Sequence, residues 1–233
     1  MIMKKNILLI AVIVFMVGFF GILDLKGEED KKQSGFDAIQ LPQPNMTGGK
    51  PLMDALKERK STRNFKPDKL PVQVLSNLLW AAFGINRPDS GKRTAPSEMN
   101  WQEIDIYVVM EEGVYSYNAK ANTLEPVLNK DVRGDTGRMI QRFVSKAPLN
   151  LVYIADLSRV STVGGILTGD EEMTIFSSVS AGAIVQNVYL FCASEGLATV
   201  VRGMIDKDAF AREVGLNPKQ KIIIAQTIGY PKK

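Results

Sequence analysis

The sequence predicts an α+β domain in which helices surround one mainly antiparallel sheet. Three observations carry that expectation. Residues 113–117 and 123–127 are two strand-like runs joined by a short polar turn, the pattern of an antiparallel hairpin. Residues 178–195 are apolar almost all round, so a helix there has to be buried in a large core or against another subunit. Residues 222–228, mostly apolar and opened by three isoleucines, read as a final buried strand.

Along the chain, the first feature is residues 7–23, where every position is apolar or glycine, preceded by Lys4 and Lys5 and followed by Asp24. At 1.5 Å per residue this run reaches about 25 Å, enough for a short membrane span. Residues 1–25 therefore read as a membrane anchor, with a cleaved signal segment as the alternative, although small residues are poorly placed for cleavage. Lys4 and Lys5 favour a cytoplasmic start and an extracytoplasmic body, against the opposing charges Lys26, Lys31 and Lys32. Residues 26–50 are polar and rich in glycine and proline, as expected of a flexible linker, and the folded body is expected to begin near Pro51.

Within residues 51–233 a short helix opens at Pro51 and runs to Arg59, followed by an irregular stretch to Lys66. Leu70, Val74, Leu75, Leu78, Leu79, Ala82 and Phe83 recur at helical spacing between Pro71 and Gly84. Residues 104–110 and 149–154 read as strands on either side of the hairpin. The long helix 178–195 carries Ala181, Gly182 and Ala183, which permit close approach, and ends at Gly196. Residues 200–204 are a strand or a loop, and residues 207–214 a short helix stopped by Gly215. No internal repeat is visible.

Composition narrows the chemistry. With 233 residues and 45% hydrophobic content, one catalytic domain with appendages is expected. The formal charge of +4 is spread without a basic block and aromatics are 8%, so there is no nucleic-acid footprint. The single cysteine, Cys192, rules out an internal disulfide and multi-cysteine metal sites, and its apolar neighbours make it a packing residue. The chain has no histidine. That removes Ser-His-Asp and Cys-His catalysis, HExxH zinc sites and imidazole shuttles, so an enzyme built on it would lean on a bound cofactor.

Three local patterns point to which cofactor. In Arg59-Lys60-Ser61-Thr62-Arg63 the two arginines and the serine alternate on an extended segment and face one way, suiting a phosphate monoester; the other reading is a solvated basic patch with Ser61 capping a turn. The second pattern runs from Ala95 through Pro96, Ser97 and Asn100 to Gln102. The third is the terminal Gly229-Tyr230-Pro231-Lys232-Lys233.

Together and in this order they resemble the nitroreductase family, whose members begin the domain with R-x-S-x-R, continue with A-P-S-x-x-N-x-Q-P and finish near G-Y-P. The resemblance spans most of residues 51–233. It includes the helix with Gln186 and Asn187 and the glycine turn at Gly196. The tyrosine-bearing hairpin at 113–117 is similar to the branch that includes peptide azoline dehydrogenases.

The resemblance implies a homodimer with FMN at the subunit interface. Arg59, Ser61 and Arg63 would hold the phosphate and ribityl chain, with Lys232 or Lys233 adding positive charge. Pro96, Ser97 and Asn100 would reach the flavin from the second subunit. Arg202 and Gly203 would lie at the reactive edge of the ring, where a backbone N–H can donate to N5, and Gln141 would meet the pyrimidine side. No catalytic side chain and no metal are implied. The implied activity is ping-pong hydride transfer from NADH, NADPH or another donor to a small organic acceptor. Alternatives are a substrate-specific flavin dehydrogenase or dehalogenase, or a non-catalytic flavin-binding or redox-sensing protein. One departure stands out: Glu103 and Ile104 follow Gln102 where the family has Pro and Trp.

Overall fold

A computed structural model describes residues 36–160 and 169–232. The expected anchor, the first part of the expected linker and Lys233 lie outside the described residues. The fold is built on a seven-stranded sheet with strands β1 (Ile39–Gln40), β4 (Ile104–Val109), β5 (Val114–Asn118), β6 (Thr123–Leu128), β7 (Leu149–Asp156), β8 (Ala198–Arg202) and β9 (Gln220–Gly229). Their order is β1-β6-β5-β4-β7-β9-β8, and every neighbouring pair is antiparallel. Strands β2 (Ile85–Arg87) and β3 (Lys92–Arg93) form a separate small hairpin.

Alternation along the central strands gives the sheet two apolar faces. Ile104, Ile106 and Val108 of β4, with Leu149, Leu151 and Tyr153 of β7, meet helices α2 (Val72–Phe83) and α3 (Asp170–Glu195). The intervening Tyr107, Val109, Val152 and Ile154 meet Phe210 of α4 (Lys207–Val214). A period of two on both faces is what a central strand covered on each side requires. Helix α1 (Leu52–Glu58) packs through Ala55 alone.

The element expectations hold with two changes. Helix α3 starts at Asp170, eight residues before the apolar run suggested, because Asp170, Glu171 and Glu172 occupy its first turn, where negative charge meets the positive end of the helix dipole. Gly196, at φ 71°, ends it in the left-handed conformation that favours glycine. Its length and apolarity would suffice for a membrane span. Here, though, Ala181, Ile184, Val188, Tyr189 and Cys192 are buried against the sheet.

The second change corrects the linker. From residue 36 onward the chain is part of the body: β1 pairs with β6, Leu41 is 2% exposed, and the Asn45 and Lys50 amides donate to Asn77 Oδ1 and Ser194 Oγ, each at 2.8 Å. A two-residue strand and side-chain-satisfied backbone leave no periodic signal to read.

Candidate functional site

The chain leaving α1 is extended and threaded between β8 and the C-terminal tail. The Thr62 amide donates to Thr199 O at 2.9 Å, Phe65 bridges Pro231, and the Lys232 amide donates to Asn64 O at 3.0 Å. This fixes the side chains between. The Arg59 guanidinium lies over the Tyr189 ring at 5.2 Å, and Ser61 Oγ is 2.7 Å from the Tyr189 hydroxyl. The expected alternation therefore brings Arg59 and Ser61 onto one tyrosine of α3. Ser61, Arg63 and Lys232 are exposed. Glu58, the adjacent acid, is paired with Lys50, so neither arginine has an ion pair among the described residues. A cleft of about 530 Å³ opens here, lined by Arg59, Lys60, Thr62, Tyr189, Thr199 and Pro231. Glu58 also lines this cleft, while Ser61, Arg63 and Lys232 stand on the adjoining segment and tail; cations beside a hydroxyl are groups that suit an anion.

At its far end β8 stops at Arg202. This side chain turns inward, 5% exposed, donating from Nε to Thr227 Oγ1 (2.8 Å) and from its terminal nitrogens to Thr136 Oγ1 (2.9 Å), Asn150 Oδ1 (2.7 Å) and the Thr136 carbonyl. Burial lowers its pKa to about 10, which leaves it a cation at neutral pH. The Arg202 side chain is consumed in holding β8 to the 133–146 segment. Only its backbone remains for a ligand. Gly203 is exposed, with open space where a Cβ would stand.

Gln141 belongs to that 133–146 segment, which is tied to the end of β8 by Arg202 and to the start of α4 by the Asp206 amide on Asp135 O and by the Arg138–Asp206 ion pair at 2.7 Å. Its buried Oε1 has no hydrogen-bond partner. A buried acceptor left open is costly unless a ligand supplies the donor.

The loop expected to reach a second site has a strained backbone. Met99, Asn100 and Gln102 have φ of 46°, 58° and 50°. Gln102 organises it: its amide donates to Ser97 Oγ (3.0 Å), and its Nε2 to Asn100 Oδ1 (3.2 Å) and Gly91 O (3.1 Å). Arg93 fixes Gln102 Oε1 at 2.7 Å while donating to Phe83 O at 2.9 Å. Pro96 and Asn100 are exposed and Ser97 half-buried. None of them lines the Arg59 cleft of the same chain.

Beyond the loop, Glu103 is 0% exposed and neither carboxylate oxygen has a hydrogen-bond partner among the described residues. Among the described residues no acid, cysteine or histidine cluster could hold a metal.

Sequence reasoning missed Tyr189, Thr199, Arg93 and the organising role of Gln102. Only Gln102 had a signal, its place in the second motif. Tyr189 sat within an apolar helix, where an aromatic reads as packing.

FMN was tested against these residues. Its phosphate needs cations and donors, which Arg59, Ser61, Arg63 and Lys232 offer. Its pyrimidine N–H needs an acceptor, which Gln141 Oε1 offers. From Thr199, beside the cleft, to Gly203 is four strand residues, roughly 13 Å, a span suited to a phosphorylated ribityl chain. The residues present fit the group.

A seven-stranded antiparallel sheet with helices on its faces and a cleft beside its edge strand defines an α+β domain. Residues 56–230 match the model of the nitroreductase family. A protein of Methanocaldococcus jannaschii named as a nitroreductase is 30% identical over 175 residues, covering 72% of this chain and 85% of that protein. A crystal structure from Ralstonia eutropha, also named as a nitroreductase, superposes with a TM-score of 0.78 at 41% identity, covering 86% of this chain and 92% of that one.

Two more distant structures share the fold. The Escherichia coli microcin synthetase complex has a TM-score of 0.62 at 20% identity, over 83% of this chain and 78% of that one. A Desulfovibrio desulfuricans protein solved with FMN has a TM-score of 0.56 at 19% identity, over 80% and 89%. The chain belongs to the nitroreductase family, a family of flavin oxidoreductases.

Proposed function

We propose that this chain is an FMN-dependent oxidoreductase acting as a homodimer on a small organic acceptor. The observation that carries the proposal is that Arg59 and Ser61 meet on Tyr189 beside β8, with Arg63 and Lys232 on the segment and tail bonded there, and that among the described residues no acid is paired to either arginine. When bound, FMN supplies a ring that takes a hydride from NADH, NADPH or another donor and passes it to an acceptor at the same face, in ping-pong order. The chain's own work is placement. Arg59, Ser61 and Arg63 hold the phosphate, the Gly203 amide and Gln141 Oε1 meet the ring, and Arg202 locks the strand that aligns them.

The dimer rests on two features. Ile175 and Val179 of α3 are 59% and 70% exposed, on one stripe with Gly182 and Gln186, so an apolar face is left for a second copy. The Pro96–Ser97–Asn100 loop is held in a strained form away from its own cleft, as suits residues that complete the partner's site.

Anaerobic titration with NADH and NADPH, followed by addition of quinone and nitroaromatic acceptors, tests the activity. Bleaching of the flavin by one nicotinamide and its recovery on adding acceptor are expected. A flavin that neither nicotinamide nor dithionite-matched acceptors cycle would leave a binding protein in place of an enzyme.

Residues 7–23 are proposed to anchor the protein with its body extracytoplasmic. Retention in the membrane fraction through high salt is expected. A mature N-terminus beyond residue 24 would favour the exported, cleaved form.

A further inference from the structure

We propose that Tyr189 is a positioning residue for the cofactor phosphate, setting the direction of the Ser61 hydroxyl through a polarised chain of hydrogen bonds. This rests on the flavin reading above and deepens it. Tyr189 is 5% exposed and lies in the second half of α3, facing both the segment after α1 and strand β8. Its hydroxyl has two partners. The Val201 amide donates to it at 2.9 Å, and Ser61 Oγ stands 2.7 Å away.

The direction of the second bond follows from counting donors. A backbone N–H can only donate, so the phenol oxygen is the acceptor for Val201. Its own proton is buried and needs an acceptor, and Ser61 Oγ is the acceptor within reach. Tyr189 therefore donates to Ser61. The proton of Ser61 is then turned away from the tyrosine, and because Ser61 is exposed it points to the surface.

The relay thus runs from the Val201 amide through Tyr189 to Ser61, and its open end is a donor, the polarity that a phosphate oxygen accepts. The same ring also carries the Arg59 guanidinium at 5.2 Å. One side chain that touches no phosphate therefore orients two of the three groups of the R-x-S-x-R motif. It also ties them to β8, whose end carries Gly203.

A merely structural tyrosine would affect all ligands alike, whereas this role concerns the phosphate alone. The test is equilibrium binding of FMN and of riboflavin, which lacks the phosphate, to full-length protein stripped of cofactor in mild detergent. Tyr189→Phe keeps the ring under Arg59 and removes the hydroxyl. FMN affinity is expected to fall by about three- to tenfold, the worth of a neutral hydrogen bond, with riboflavin affinity nearly unchanged.

Ser61→Ala should give the same selective loss, and the double variant should be no worse than Ser61→Ala alone, since both changes cut one relay. Ser61 is exposed, so Ser61→Ala decides the matter even if Tyr189→Phe does not fold. Full FMN preference in Ser61→Ala, equal weakening of both ligands in Tyr189→Phe, or strictly multiplicative effects in the double variant would overturn the proposal alone. Wild-type protein that takes up neither ligand would overturn the flavin reading and the relay with it.

Discussion

Arg63 and Glu103 show how much a single side chain decides here. Arg63 is exposed and has no ion pair among the described residues, so its replacement should leave the fold intact and, on the proposed reading, remove one charge-assisted bond to a phosphate, worth about 1.5–3 kcal/mol. Arg63→Ala is therefore expected to weaken FMN by about ten- to a hundredfold while leaving riboflavin almost untouched, and Arg63→Lys to recover only part, because an ammonium lacks the two-pronged geometry. Isothermal titration with both ligands checks this, and equal loss for both would remove Arg63 from the proposed phosphate site.

Glu103 is the opposite case, a buried carboxylate without hydrogen-bond partners among the described residues. Glu103→Leu removes that uncompensated group, so the variant should unfold at higher denaturant concentration, a gain of about 1–3 kcal/mol. Destabilisation would mean that the carboxylate has a function at this position. At this scale the sequence was partly legible. The meeting of Arg59 and Ser61 on one side was legible because alternation is visible in a strand-like segment. Tyr189 could not, because nothing local distinguishes a packing tyrosine from one that bridges two distant segments. The inward turn of the Arg202 side chain was also hidden, since Thr136, Asn150 and Thr227 come from three separate parts of the chain.

Helix α3 is the element on which the proposed dimer depends. One face builds the core through Ala181, Ile184 and Val188, a second presents Tyr189 to Ser61, and a third leaves Ile175 and Val179 uncovered. An uncompensated charge at a covered position costs about 3–5 kcal/mol, so Val179→Glu should convert the dimer to a folded monomer and release FMN. Light scattering combined with circular dichroism checks both halves; a wild-type monomer that retains FMN would show that one chain completes the site.

The extent of α3 also marks where sequence reading stops. Its apolar part from Ser178 was plain, but an acidic first turn reads like a loop unless the helix dipole is considered. The hairpin, β7, β9 and α4 were legible because each has its own period and its own terminators, such as Gly215 at φ 69°.

For the whole molecule, the boundary of the body follows from residues 36–50. Leu41 is buried and β1 closes the sheet edge beside β6, so a chain beginning at Pro51 loses a core side chain worth about 1.5–3 kcal/mol and exposes a strand edge. Such a chain should melt lower and aggregate more than one beginning at Phe36. Equal melting temperatures would return residues 36–50 to the role of a linker. No local pattern announced this, because the segment is held by side chains of α2 and α3 in place of its own periodicity.

The composition had already narrowed the chemistry, since an enzyme without histidine leans on a cofactor for redox work. On the proposed reading, Arg59 with its neighbours, the unpartnered Gln141 oxygen and the strand between them would hold one. The most direct test is the visible absorption spectrum of the purified protein beginning at Phe36, with the released chromophore identified by mass. A yellow protein carrying FMN equimolar with the chain is expected, and a folded, colourless protein that takes up no added FMN would contradict the account.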